Sequence, residues 1–350
     1  MADNTDNIII DTATRIFRDL CEPNTVNDAE QGEWPKALWD ALEESGLTLT
    51  WVPDEFGGAG ATLADGFAVL RAAGRFAAPV PLAETLMAGW LLSQAGIAVP
   101  GGPLTIAPIH ADGWIGLGGD GMLSGRARQV PFARNAGHIA VLTHRGDETM
   151  VALVAARGLP IRQSTSLAGE PRDDVAFDGA MPEAVRPARI DQDGLVCIGA
   201  AVRLQQMAGA LEKILEQSVQ YALDRSQFGR PIAKFQAVQH NLATLAGEVA
   251  AASAAADAAA EACARPEIAI GEIAIAKVRG GEAAGTGAAI AHQVHGAMGF
   301  TYEHSLHHAT RRLWAWREEF GNEAVWAARL GRMVAERGAD GLWPFITAGS

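Results

Sequence analysis

Val196–Ala243 reads VCIGAAVRLQQMAGALEKILEQSVQYALDRSQFGRPIAKFQAVQHNLA. Up to Gly229 its apolar residues recur at helical spacing, so it predicts one long helix. Asp191 or Asp193 stands before it as a cap and Gly229 follows as a stop. Pro231 opens a second helix, which continues into an Ala-rich stretch ending at Ala264. Pro266 suits the first turn of a third, EIAIGEIAIAKVRGGEAAGTGAAIAHQVHG. Shorter helices follow to about residue 337. Long Ala-rich helices with short connections predict an antiparallel bundle over 189–350.

Upstream the texture changes. Between 104 and 188 short apolar runs alternate with Gly, Asp and Pro: LTIAPI, WIGL, MLSG, HIAVLTH, MVALVAA, VAFDG. This spacing predicts a small β domain of six or seven strands. Residues 1–103 return to helical patterning in ATRIFRDL, WPKALWDALEESGL and LAETLMAGWLLSQAG, with stops at Gly46 and Gly96. A loop at VPDEFGGAG ends where a helix restarts near Thr62. The fold class is mostly α with a small β domain: an N-terminal helical domain, a middle β domain and a C-terminal helical bundle.

Composition narrows the function. Lys and Arg number 28 against 41 Asp and Glu, a net charge of −13. No basic footprint is available for nucleic acid or an anionic membrane surface. Hydrophobic residues make up 49%, enough for a sizeable core. Three dispersed cysteines, Cys21, Cys197 and Cys263, form no disulfide framework and suit a reducing compartment. The acidic N-terminus is no signal peptide, and the longest candidate span, Ala246–Ala264, is broken by three acids. The expectation is a soluble, cytoplasmic protein with no membrane or nucleic-acid partner.

Gly116–Gly121 formally matches GxGxxG, but a strand-like MLSGRARQVPF follows, so a hairpin is expected rather than a dinucleotide site. His292, His295, His304, His307 and His308 cluster; His304 and His307 share a helix face if the helix includes both. No HExxH or converging Asp or Cys completes a metal site, and helix-surface and interface histidines are the expectation. Arg225 and Phe228 lie at i, i+3. An Arg there can hold a phosphate by two parallel bonds, or simply complement the helix dipole. Gly296 and Gly299 permit close backbone approach, and Gln293 offers a donor and an acceptor; a helix cap and turn needs no more.

Taken together, these segments resemble the acyl-CoA dehydrogenase family. DRSQFGRPIAKFQAVQHNLA resembles its Arg-x-x-Phe-Gly segment with a downstream Gln, and QVHGAMGFTYEHSLHHATRR its Gln-x-x-Gly-Gly-x-Gly segment. VPDEFGGAG is similar to its N-terminal Gly-rich loop. The resemblance implies an FAD cofactor bound between subunits, with Arg225, Gln227 and Phe228 reaching the pyrophosphate and ADP half of an FAD held mainly by a neighbour. Gln236, Gln293, Gly296 and Ala297 would line the same half; Ala297 replaces the family's second Gly. It also implies an acyl-CoA thioester substrate, α,β-dehydrogenation by a Glu base, and an electron-transfer flavoprotein as acceptor.

The chain departs from the family at that base. Aligned without gaps from Gln293, the base position is Phe320, followed by Gly321 and Asn322. Glu319 is one residue early, which turns a helical side chain by about 100°. It is the tentative catalytic residue. The family's other location falls at Gly199–Ala200, with no acid. The Thr-Glu-x-x-x-Gly-Ser-Asp loop is also missing; TIAPIHADGWIGL stands in its place. Residues serving a neighbour's FAD are kept, and those for this chain's own flavin are lost. The expectation is the degenerate partner in a heterotetramer, leaving room for a bulky substrate such as a steroid side-chain thioester. The alternatives are a self-sufficient homo-oligomer using Glu319, or a structural subunit without flavin.

Overall fold

The structure, a computed structural model, describes residues 5–107 and 114–347. It divides into two compact units. One comprises residues 1–70 and 79–199; the other comprises 71–78 and 200–350. Within the first unit, the N-terminal helix Leu82–Gln94 packs on the sheet through the strands Leu104–Ala107, His138–Arg145 and Glu148–Ala155.

In the first unit, helices α1 (Thr5–Leu20), α2 (Pro23–Glu30), α3 (Lys36–Glu44), the start of α4 (Leu63–Arg75) and α5 (Leu82–Gln94) precede the sheet. The short α2, with Pro23 in its first turn, is absent from the sequence reading. Helix α4 begins in a capping box. Thr62 Oγ1 accepts from the Asp65 amide at 3.2 Å, while the Asp65 carboxylate accepts from the Thr62 amide at 2.8 Å. Helix α5 is buried on nearly every face because it packs on the sheet.

The strands are β1 (Leu104–Ala107), β2 (Trp114–Leu117), β3 (Leu123–Pro131), β4 (His138–Arg145), β5 (Glu148–Ala155), β6 (Ile161–Arg162), β7 (Arg172–Ala176) and β8 (Ala184–Pro187). Their order is β6-β7-β3-β2-β4-β5-β8, with β1 parallel to β4. Eight strands exceed the six or seven expected, since two-residue β6 carries no pattern of its own. Gly116–Gly121 joins β2 to β3 as a hairpin. Strand β3 carries one extra residue against β7 between Ala127 and Val130, a bulge with Gln129 at φ 52°.

The second unit is built on α6 (Gln192–Asp224), α7 (Gln236–Cys263), α8 (Ile270–His295) and α9 (Leu306–Glu318), followed by α10 (Glu323–Arg337) and α11 (Ala339–Thr347). Asp191 caps α6, accepting from the Gly194 amide at 2.8 Å. Pro266 lies before α8 rather than in its first turn. The core joins Met207, Leu211 and Ile214 of α6 to Leu245 of α7, Ala284 of α8, and Leu313 and Trp316 of α9. Glycines set the helix spacing. A Cβ at Gly209 would lie 1.9 Å from the Arg71 carbonyl oxygen, and one at Gly74 2.0 Å from that of Gln206. This backbone contact is pinned by Arg71, which pairs with Glu212 at 2.6 Å and Asp257 at 2.8 Å. Helix α6, rather than Ala246–Ala264, is apolar enough to cross a membrane by composition, but 89% of its most apolar window is buried within the protein.

Candidate functional site

Helix α6 stops at Asp224, five residues before Gly229, so Arg225 and Phe228 do not share a helical turn. Instead β9 (Ser226–Gln227) pairs with β10 (Arg230–Pro231) in a minimal hairpin. Phe228 and Gly229 form its two-residue turn, at φ 53° and 77°. Such turns favour Asn-Gly; a Phe at positive φ stores about 1–3 kcal/mol of strain. That ring is 92% exposed. Arg230 stacks its guanidinium on Phe235, 4.3 Å from the ring centre. Arg225, Gln227 and Gln236 are exposed, and among the described residues Arg225 has no ion-pair partner.

Helix α8 ends at His295. Gly296 adopts φ 58° and ψ −141°, a conformation essentially reserved for glycine. Gln293, Gly296 and Ala297 are exposed. Tyr221, near the end of α6, stacks on His295 with ring centres 4.5 Å apart. Gln217 Nε2 donates to Ser305 Oγ at 2.9 Å. The ring contact holds the ends of α6 and α8 together, and the Gln217 bond ties α6 to the residue before α9. The seven residues expected at a cofactor therefore gather at one end of the bundle, open to solvent. A free guanidinium, amides able to donate, an exposed ring and a glycine-only bend suit an anionic group carrying a flat ring system.

At the expected base position the arrangement differs. Glu319 leaves α9 in an extended conformation, and Phe320 follows at φ 54° with its side chain buried. Trp326 Nε1 donates to the Phe320 carbonyl at 2.9 Å, fixing that turn. Glu319 is 8% exposed, and its Oε2 accepts from Arg203 Nε at 2.7 Å. Arg203, itself 2% exposed, also donates to Gln206 and lies over the Phe320 ring. The carboxylate is thus engaged by a guanidinium inside the bundle.

Lys277 lies fully buried nearby and donates to the Arg317 carbonyl at 2.8 Å. Burial pushes its ammonium down to about 7, opposed by Glu319, Glu318 and Glu323 and assisted by Arg203. In the unfolded chain this lysine titrates near 10.5. Between those values the unfolded chain binds a proton that the folded chain does not, so stability rises with pH across the window. The unfolding free-energy difference between the native chain and Lys277→Met should therefore change from about pH 7 to 10.5 and be flat below, measured by urea titration. Sequence reading missed Arg203 and Lys277; each is a lone cation on an otherwise apolar helix stripe, which was the available signal.

The histidines are buried in the bundle rather than at its surface, His304 excepted. His304 precedes α9, so it shares no helix face with His307. His292 stacks on Phe300 and Trp314. Burial pushes His295 down to about 4 and His308 to about 3, keeping both neutral at pH 7. Among the described residues no three His, Cys, Asp or Glu side chains converge as metal ligands. Within TIAPIHADGWIGL, residues 108–113 lie outside the described residues.

Residues 3–98 match the family model for the acyl-CoA dehydrogenase N-terminal domain, and 199–335 that for its C-terminal domain. The chain is 30% identical over 275 residues to the acyl-CoA dehydrogenase IpdE2 of Mycobacterium tuberculosis, covering 78% of this chain and 79% of that one. Two solved structures share the fold at 24% identity. The Tcur3481-Tcur3483 steroid ACAD, solved as a variant, has a TM-score of 0.87 and covers 97% of this chain and 100% of that one. The ChsE4-ChsE5 complex from Mycobacterium tuberculosis has a TM-score of 0.84 and covers 96% and 98%.

Proposed function

Because the chain belongs to the acyl-CoA dehydrogenase family, we propose that it is the non-catalytic subunit of a heteromeric, FAD-dependent acyl-CoA dehydrogenase. In this reading it lends Arg225, Gln227, Phe228, Gln236, Gln293, Gly296 and Ala297 to an FAD held mainly by a second acyl-CoA dehydrogenase subunit. The observation that carries it is the contrast between the two ends of the chemistry. The hairpin tip projects a strained, exposed ring and an uncommitted guanidinium, while Glu319, the carboxylate adjoining the expected base position, is locked on Arg203.

FAD, when bound, supplies the hydride acceptor for dehydrogenation of an acyl-CoA thioester. This chain's part is to orient: Arg225 can grip a pyrophosphate by two parallel hydrogen bonds, and Phe228 can cover a flat ring. Phe320 brings no proton acceptor to the position where the base is expected. The partner subunit then supplies the base, and an electron-transfer flavoprotein takes the electrons. Support for a heteromer comes from ChsE4-ChsE5 being described as a complex, and for a bulky substrate from the steroid ACAD. A cytoplasmic setting goes with this reading, since the three cysteines are buried thiols.

The test is the visible flavin spectrum of the chain alone and co-expressed with a neighbouring acyl-CoA dehydrogenase. The expected result is a colourless chain alone and a yellow complex with about half a flavin per chain. One flavin per isolated chain, with acyl-CoA turnover, would replace this reading with a self-sufficient homo-oligomer. A colourless complex would leave a structural subunit without flavin.

A further inference from the structure

We propose that the groove across the outer face of β3, β7 and β6 binds a nucleoside diphosphate through Arg126 and Arg128. The groove encloses about 890 Å³, within the range of small-molecule sites. Strand pairing explains its shape. Arg126 stands opposite Ala176, and Arg162 opposite Asp174, so these side chains share one face. The single methyl of Ala176 leaves the floor beside Arg126 open. Pro160 closes one end with apolar surface suited to a base or sugar, while Ile161 packs into the core opposite Val175.

Charge gives the groove its selectivity. Asp174 is committed: it accepts from Arg162 Nη2 at 2.7 Å and from the Gln129 amide at 3.1 Å. Those bonds, the one from Arg162 foremost, hold its carboxyl below the usual carboxylate range. Arg126 and Arg128 are exposed, and among the described residues neither has an ion-pair partner. In a chain of net charge −13, the groove gathers three guanidiniums, Arg126, Arg128 and Arg162, around one carboxylate, Asp174, which Arg128 also reaches electrostatically; the excess positive charge suits an anion. Alternate residues on a strand are about 7 Å apart, a span that suits two linked phosphates better than one. The bulge brings Gln129 into the same groove, adding its side-chain amide beside the backbone N–H already given to Asp174. This inference does not depend on the interfacial FAD reading, because none of the hairpin residues takes part.

The test is isothermal titration of the assembled protein with inorganic pyrophosphate, ADP, coenzyme A and adenosine, at low salt and again with added NaCl. Pyrophosphate and ADP should bind, adenosine should not, and salt should weaken the binding. Arg126→Ser with Arg128→Ser should weaken ADP at least about tenfold, from the loss of hydrogen bonds to charged groups. Arg145→Ser, outside the groove, should leave it unchanged. Binding of coenzyme A in place of free ADP would mark the diphosphate of a larger coenzyme as the source. Failure of every phosphate probe, equal binding of adenosine, or an unaffected double variant would overturn the proposal. Should the double variant not fold, Arg126→Gln and Arg128→Gln singly, with the salt dependence of the native protein, give the same decision.

Discussion

Glu319→Ala should lower the unfolding free energy by about 1.5–3 kcal/mol, the usual contribution of a hydrogen bond to a charged group. Arg203 and Glu319 are both nearly inaccessible, and Glu319 accepts the Arg203 Nε–H at 2.7 Å. Removing the carboxylate takes one charged partner from a buried guanidinium that keeps its bond to Gln206. Replacing both partners separates the effects: Arg203→Met with Glu319→Leu should recover part of the loss, because an apolar pair of similar volume carries no desolvation cost. The chemistry is tested by Glu319→Gln alone in the flavin-loaded complex. Turnover per FAD should stay within about twofold if, as proposed, the partner subunit supplies the base. A fall of about a thousandfold with the fold intact would make Glu319 the base.

Arg225→Ala should release FAD from the assembled complex while leaving the chain folded. Arg225 is exposed and, among the described residues, without an ion pair, so unfolding should move by no more than about 0.5 kcal/mol. Hydrogen bonds to a charged group contribute about 1.5–3 kcal/mol, so FAD affinity should fall roughly 10- to 150-fold. Absorbance of the complex after gel filtration reads this directly. Arg225→Lys should lie between, because an ammonium keeps the charge but loses the planar fork. Unchanged FAD content in Arg225→Ala would remove this residue from the interface.

Element types were legible wherever hydrophobic period was strong. The long helix from Asp191, the cap at Asp191, the helix restart near Thr62 and the hairpin at Gly116–Gly121 all follow from local chemistry. The hairpin at Phe228 was not legible, because its turn residues give no Asn-Gly signal and helical periodicity continues through them. The site split in the same way. Arg225 and Gly296 stand out as motif residues, whereas the lock on Glu319 depends on Arg203, 116 residues away in sequence. Long-range pairing of that kind has no local pattern. Strand β6 was missed for a related reason: two residues owe their extended state to β7 alone.

The second compact unit takes residues 71–78 from far upstream and closes on them with residues 200–350. During synthesis, about 120 residues must emerge between the two parts. At roughly 5–20 residues per second, that is a wait on the order of ten seconds. Throughout it, Arg71 has neither Glu212 nor Asp257, and the Gly74 surface has no Gln206 backbone to meet. The bundle therefore cannot mature in the order in which the ribosome delivers it. A C-terminal fragment beginning at residue 200 would lack a segment that the intact chain always carries, and a cut inside α4 would cost the bundle as much as the helices beside it.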